Sequence, residues 1–363
     1  MRAELSEESL IAWLRSLASH ATKQQPAAAR HLIGDDTASL PRRTVITVDQ
    51  QIEDVHFPAG LDPAVVARRL LAVNLSDLAA SGARPTHAFL ALAAPSGFDH
   101  RRFFRALVGA CHDHGVALAG GDLAQSPRLH LSLTLCGERR RGDGTLARNR
   151  ARSGQQLWIG GTLGESALGC ELVRRGARLR GNAVELPPRF SVKGVLRAAA
   201  VRAVKRHLLP SPQLALGTWL ARHGGRHCAA IDVSDGLAKD LHRLCAASAV
   251  GALLDASAIR AAGSERLDDL ADRLELGSNE LRESGGEDYV LLFSLPKKIS
   301  PPEEFRARSI GTTTRSLAIE IENRDGTRRN LAPAGWDHLS DSRIRPDPAG
   351  AGPGGRSAHR RGS

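Results

Sequence analysis

The chain has 363 residues, 42% of them hydrophobic, which is enough for two domains of ordinary size, each with its own core. No apolar run approaches the roughly 18 residues of a membrane helix, and the N-terminal MRAELSEESL is acidic where a secretory signal is basic and then apolar, so a cytoplasmic protein is expected. The formal charge is +11, but the five arginines between Arg343 and Arg361 stand against Asp347 alone, and only 4% of residues are aromatic, which argues against a nucleic-acid partner.

In chain order, Leu10, Ile11, Leu14 and Leu17 share one helical face and predict a helix over 5–19, with Ser6 as cap. TVITVD predicts a strand over 44–49. Asp62-Pro63 opens a helix that runs to Ala80, with Asp as N-cap, Pro in the first turn and Gly82 just past the end. A strand over 86–94, a helix over 99–114 and a strand over 116–119 ending in Gly-Gly-Asp come next. LHLSLTL, 129–135, alternates as a strand with one buried face does. The Arg-, Gly-, Asp- and Asn-rich 138–153 marks a hairpin or domain boundary. Beyond it the pattern predicts a strand over 157–160, helices from Glu165 and Pro212, a strand from Cys228, a helix through Ala247 and a strand over 289–295. The last 20 or so residues, with PDPAGAGPGG, are expected to be disordered. The five cysteines are odd in number and contain no CxxC pair, so reduced, mostly structural thiols are expected.

The unusual residues are acids at element ends: Asp35-Asp36 after Gly34, Asp49, Asp77 in NLSD, Asp122 in GGD, Asp232 and Asp235 in IDVSDG, and Glu287-Asp288 after two glycines. Each alone is an ordinary cap or turn residue. Together, with no His or Cys cluster among them, they suit a hard cation with oxygen ligands, best Mg²⁺, and hence phosphate chemistry. Neither a P-loop nor a kinase Gly-rich loop is present, and GGTLGES (160–166) lacks a following lysine. Phosphates would then be held by metals and by the backbone amides of glycine-rich turns.

IGDD (33–36), TVDQQIEDVHF (47–57), AVNLSDLAASGARP (72–85), GGD (120–122), LARNRARSG (146–154), RHLLPSP (206–212), IDVSDG (231–236), SGGEDY (284–289) and GWDH (335–338) stand in an order and spacing that resembles the thiamine-monophosphate kinase family of the aminoimidazole-ribonucleotide-synthetase-like superfamily. The resemblance implies a two-domain α+β / α/β fold of mixed sheets flanked by helices. It divides the chain into an N-terminal domain (1–145), a C-terminal domain (146–341) and a basic tail (342–363), with a homodimer formed through the N-terminal domain. It further implies ATP-dependent phosphorylation of thiamine monophosphate assisted by several Mg²⁺ ions, the alternatives being another ATP-dependent enzyme of the same superfamily or a non-catalytic thiamine-phosphate-binding protein. By the same likeness Asp36, Thr47, Asp49, Asp77, Asp122, Asp232 and Asp235 are metal ligands. Gly121, Asp122, Arg148 and Ser234 contact ATP, and His56, Glu287 and Trp336 contact thiamine. IDVSDG then sets two acids on a strand-to-helix turn, where a helix N-terminus favours phosphate. Val48, Gln50-Gln51, Leu123 and Leu209 depart from the family pattern without removing an acid, which implies an active but divergent enzyme.

Overall fold

The computed structural model describes residues 7–21, 35–40 and 43–336; the expected tail and part of the GWDH motif lie outside them. After α1 (Glu7–Ala21), the first sheet holds β1 (Ala38–Ser39), β2 (Thr44–Ile52), β3 (Arg84–Ala94), β4 (Ala117–Gln125) and β5 (His130–Glu138). Its order is β1-β2-β5-β3-β4, antiparallel except for β3 with β4. α2 (Pro63–Ala80) begins where the sequence places it: the Asp62 carboxylate accepts the Ala64 amide at 2.9 Å and Pro63 occupies the first turn. Leu70, Leu71, Leu75 and Leu78 of α2, with Phe103 and Leu107 of α3 (His100–Asp113), pack on Leu90, Leu131, Leu133 and Leu135. Among the described residues the opposite sheet face has no such cover. There Val48 and Phe89, aligned through Thr134, are 57% and 42% exposed.

The predicted end of the fourth strand at Gly120-Gly121-Asp122 is not seen; β4 runs through the motif to Gln125. A Cβ on Gly121 would lie 1.8 Å from the Leu90 carbonyl oxygen, so the glycine lets the edge strand keep its pairing with β3 where another residue would break it.

The second half builds a seven-stranded sheet. Its strands are β6 (Gln156–Gly160), β9 (Ala230–Asp232), β10 (Gly251–Asp255), β11 (Leu291–Leu295), β12 (Ala307–Thr314), β13 (Ile319–Glu322) and β14 (Arg328–Asn330), in the order β14-β13-β10-β12-β6-β11-β9. A small hairpin, β7 (Arg178–Arg180) with β8 (Ala183–Glu185), stands apart. The helices are α4 (Glu165–Arg174), α5 (Gly194–Leu208), α6 (Leu214–His223), α7 (Leu237–Ser248), α8 (Ala256–Ala262), α9 (Leu267–Leu274) and α10 (Ser278–Ser284). One sheet face packs Leu157, Ile159, Ile231 and Leu292 on Leu241 and Leu244 of α7. On the other, Leu291 and Phe293 meet Leu216 and Leu220 of α6 and the end of α2 at Ala79 and Ala80. β11 is therefore buried throughout, which explains its unbroken apolar run. It starts at Leu291, not 289, because Glu287 and Tyr289 take left-handed backbone (φ 55° and 48°) that cannot extend a strand. Among the described residues no helix is long and apolar enough to cross a membrane.

Candidate active site

β2 and α2 face each other, and the Asn74 side chain ties them by accepting the Asp49 amide at 3.2 Å. Thr47 points into the same interface and its hydroxyl donates to Asp77. Asp232, the last residue of β9, and Asp36 close the group: carboxylate oxygens of Asp36, Asp77 and Asp232 all lie within 4.8 Å of one another. Burial, then the charges of Asp49 and Asp232, raises the Asp77 carboxyl well above the usual range; burial and the charge of Asp36 do the same for Asp232. Burial, then the charges of Asp36 and Asp235, pushes Asp49 up to about 6. Arg148 is the counter-cation. It donates to Asp36 and lies 3.7 Å from Asp35, and although burial opposes its charge, these carboxylates hold its pKa above the ordinary value. The second Asp36 oxygen, Oδ2, is buried without a hydrogen-bond partner. An acceptor-only oxygen set that repels itself and leaves one lone pair unused fits a hard divalent cation.

The Asp232–Gly236 turn departs from the expected anion cradle. The amides of Ser234 and Asp235 donate to Asp240 Oδ2 at 3.1 and 3.0 Å, so a carboxylate of α7 already occupies them. Burial and the charge of Asp235 lift Asp240 to about 7. Asp235 accepts Arg243 at 2.6 Å and Lys239 at 3.1 Å, so two cations offset its charge. The start of α4 in GGTLGES is likewise taken: Asp288 accepts the amides of Gly164 at 2.6 Å and Ser166 at 3.1 Å. The carbonyls of the turn hold two expected substrate residues. Ser234 accepts the Glu287 amide at 2.6 Å, and Asp235 accepts the Trp336 amide at 3.1 Å. Lys239 also reaches the Trp336 carbonyl.

Glu287 pairs with Arg69 of α2, which is wholly buried, and lies 3.1 Å from His207 Nδ1. Burial opposes its charge, yet Arg69 and His207 bring it down to about 2. His56 contributes to the same field, and its Nδ1 accepts the Ile52 amide at 3.0 Å. Gln51 is buried and accepts Arg69 Nε at 2.9 Å, so this departure from the family pattern braces the arginine. Gly121 and Asp122 are not brought to the acids. The register Gln50–Ser132–Ala91–Asp122 sets Asp122 on the uncovered sheet face, three strands from β2 and about 14 Å across at ~4.8 Å per strand. Thr47 and Asp49 point the other way.

Arg69, Asp240, Lys239, Arg243 and His207 were missed by sequence reading. Arg69 had a usable signal, its place beside Leu70 and Leu71 in the mostly apolar helical stretch ARRLLAVNL, since a buried charge needs a partner.

Residues 34–138 match the family described as AIR synthase related protein, N-terminal domain. The thiamine-monophosphate kinase of Haemophilus influenzae is 30% identical over 327 residues, covering 86% of this chain and 92% of its own. The solved structure of AaThiL complexed with AMPPCP and TMP superposes with a TM-score of 0.77 at 26% identity, over 93% of this chain and 99% of that one. The thiamine-monophosphate kinase structure from Stenotrophomonas maltophilia K279a gives 0.66 at 32% identity, over 86% and 95%. With its two mixed sheets, its gathered acids and this likeness along nearly the whole length, the chain belongs to the thiamine-monophosphate kinase family.

Proposed function

We propose that the chain transfers the γ-phosphoryl group of ATP to the phosphate of thiamine monophosphate, yielding thiamine diphosphate, in the cytoplasm. The observation that carries this reading is the Asp36–Asp77–Asp232 group with its unpartnered Asp36 oxygen beside Arg148, in a chain of this family. Asp36, Asp49, Asp77, Asp232 and, once released from Arg243, Asp235 are assigned to Mg²⁺, with Thr47 orienting Asp77. Bound Mg²⁺ supplies charge neutralisation between the two polyanions.

The acceptor phosphate has a second pKa near 6 and is already largely anionic at neutral pH, so no side chain has to take a proton. The protein's work is placement and charge balance. Arg148 stays cationic throughout the working range and is assigned to the ATP phosphates, with Ser234 on the adjacent turn. Glu287, held ionised, faces the thiazolium cation; the Trp336 ring and His56 line the same end.

Gly121 and Asp122 fit this scheme only if a second copy carries them in. The uncovered sheet face with Val48 and Phe89 supports a homodimer through the N-terminal sheets, in which Asp122 acts at the partner's nucleotide. The test is incubation of the purified protein with ATP, Mg²⁺ and thiamine monophosphate, following thiamine diphosphate by chromatography. Metal-dependent product is expected; its absence while ATP still binds overturns the assignment.

A further inference from the structure

α4 and α5 meet with almost no gap at Gly169, where a Cβ would stand 2.0 Å from the Ala203 carbonyl oxygen and 2.9 Å from the His207 Cβ. This approach brings the next residue, Cys170, to within 4.8 Å of a His207 ring nitrogen. Cys170 Sγ, a His207 ring nitrogen and a Glu287 oxygen lie within 4.8 Å of one another, and Ser166 Oγ is 3.5 Å from His207 Nδ1. Four elements surround the thiol with charge: Arg174 on α4, His207 on α5, Glu287 on its loop and Arg69 on α2. Charges alternate along the row Arg69, Glu287, His207, Cys170 when the last two are imidazolium and thiolate. The row is then balanced and has no deficit for a metal to fill.

Burial raises any thiol, but at Cys170 the His207 and Arg174 charges outweigh it and bring the pKa below the ordinary value. Burial would also lower His207, yet Cys170 and Glu287 hold it at about 9. The other cysteines differ. Burial lifts Cys111 to about 11 and Cys228 and Cys245 to about 12, and Cys136 is raised as well. Cys170 keeps partial solvent access, whereas Cys111, Cys228 and Cys245 are buried.

We propose that Cys170 is a modification site, a nucleophilic sulfur backed by His207 that reacts with hydroperoxides and soft alkylating agents, and whose modification shuts the thiamine end of the site. The second half rests on the kinase reading; the first does not. With hydrogen peroxide, the Cys170 thiolate attacks one oxygen, an S–O bond forms and the O–O bond breaks. The departing hydroxide takes the His207 proton and leaves as water. Sulfur is oxidised by two electrons to the sulfenic acid and the peroxide is reduced. His207 is then neutral, so Glu287 loses one of its two close cationic partners.

The experiment is limited alkylation of the native full-length protein with iodoacetamide between pH 5 and 9, with the rate at each of the five cysteines read by peptide mass mapping. Cys170 is expected to label roughly tenfold or more faster than Cys136 at pH 7, with a rate that falls less steeply towards low pH than that of an ordinary thiol, which loses about tenfold per unit below its pKa. His207→Gln should move that profile up towards an ordinary thiol; if this variant does not fold, the wild-type profile decides alone. Cys170→Ser should retain turnover and resist peroxide. Labelling no faster than Cys136, or with an ordinary thiol's pH dependence, overturns the site. Rapid labelling that leaves phosphoryl transfer intact overturns the coupling to activity.

Discussion

Arg69 and Glu287 are 218 positions apart and form one ion pair that joins the central helix of the first sheet to the loop entering the buried strand of the second. The arginine is fully buried and also donates to the His207 carbonyl, so the pair fixes three elements at once. Glu287→Gln leaves that guanidinium without its anion and is expected to lower stability by about 3–5 kcal/mol in urea unfolding at pH 7. Glu287 is held down at about 2 in the fold, against 4.5 for the free side chain, so its contribution is present above pH 4.5 and lost as pH falls through about 2. The wild type should lose thermal stability across that window, and the variant should lose less.

Asp77→Asn should act oppositely on stability and activity. Removing one of several carboxylates that raise each other's pKa relieves the metal-free fold, and each kcal/mol gained shifts the melting midpoint by about 2–4 °C. Phosphoryl transfer should fall by about 10²-fold or more, and stabilisation by added Mg²⁺ should shrink. An unchanged or lower midpoint without Mg²⁺ contradicts this account of the acids. Asp49, raised to about 6, adds a pH signature: the metal-free protein gains stability as pH falls from about 6 towards 3.8, and Mg²⁺ should abolish the gain.

If Asp122 serves the partner's nucleotide, two inactive proteins should rescue each other. Asp77→Asn and Asp122→Asn, mixed and allowed to exchange subunits, would form hybrids with one intact site, restoring about a quarter of wild-type activity at random pairing. No recovery would place Asp122 in its own chain's site. Val48→Glu, which charges the uncovered face, should shift sedimentation towards the monomer.

Gly169→Ala should be costly for its size. The added methyl meets a backbone carbonyl that cannot move aside, and about 1–3 kcal/mol or more of destabilisation is expected from chemical unfolding. It should also displace α4 from His207 and slow alkylation of Cys170.

The start and end of α2 were legible to the residue because cap, proline and terminal glycine are local signals. The acids at Asp36, Asp77 and Asp232 were legible as a kind, being carboxylates at element ends without bland partners. Their division was not. Asp235 is drawn off by Lys239 and Arg243, and Asp122 is turned to the opposite sheet face by strand register, neither of which local sequence states. Asp240, and the role of Asp288, were hidden for a related reason: each carboxylate fills a turn that looked vacant for phosphate, and which carboxylate fills it is known only when the chain has folded back. The helix over 194–208, GVLRAAAVRAVKRHL, mixes small and basic residues with little contrast between faces, and so gave no clear period.

α2 has almost no solvent face: β2 and β5 cover one side, and α6 and β9 reach the other. On the ribosome its first cover is complete once β5 emerges, but β9 follows some ninety residues later, at roughly 5–20 residues per second a delay of several seconds or more. During that interval a leucine-rich helix displays apolar surface, the kind of segment that holdase chaperones capture, with Arg69 still lacking Glu287 and the His207 carbonyl. A ribosome stalled before β9 would thus leave a folded first sheet whose central helix invites aggregation, and which carries two of the three gathered acids but no site.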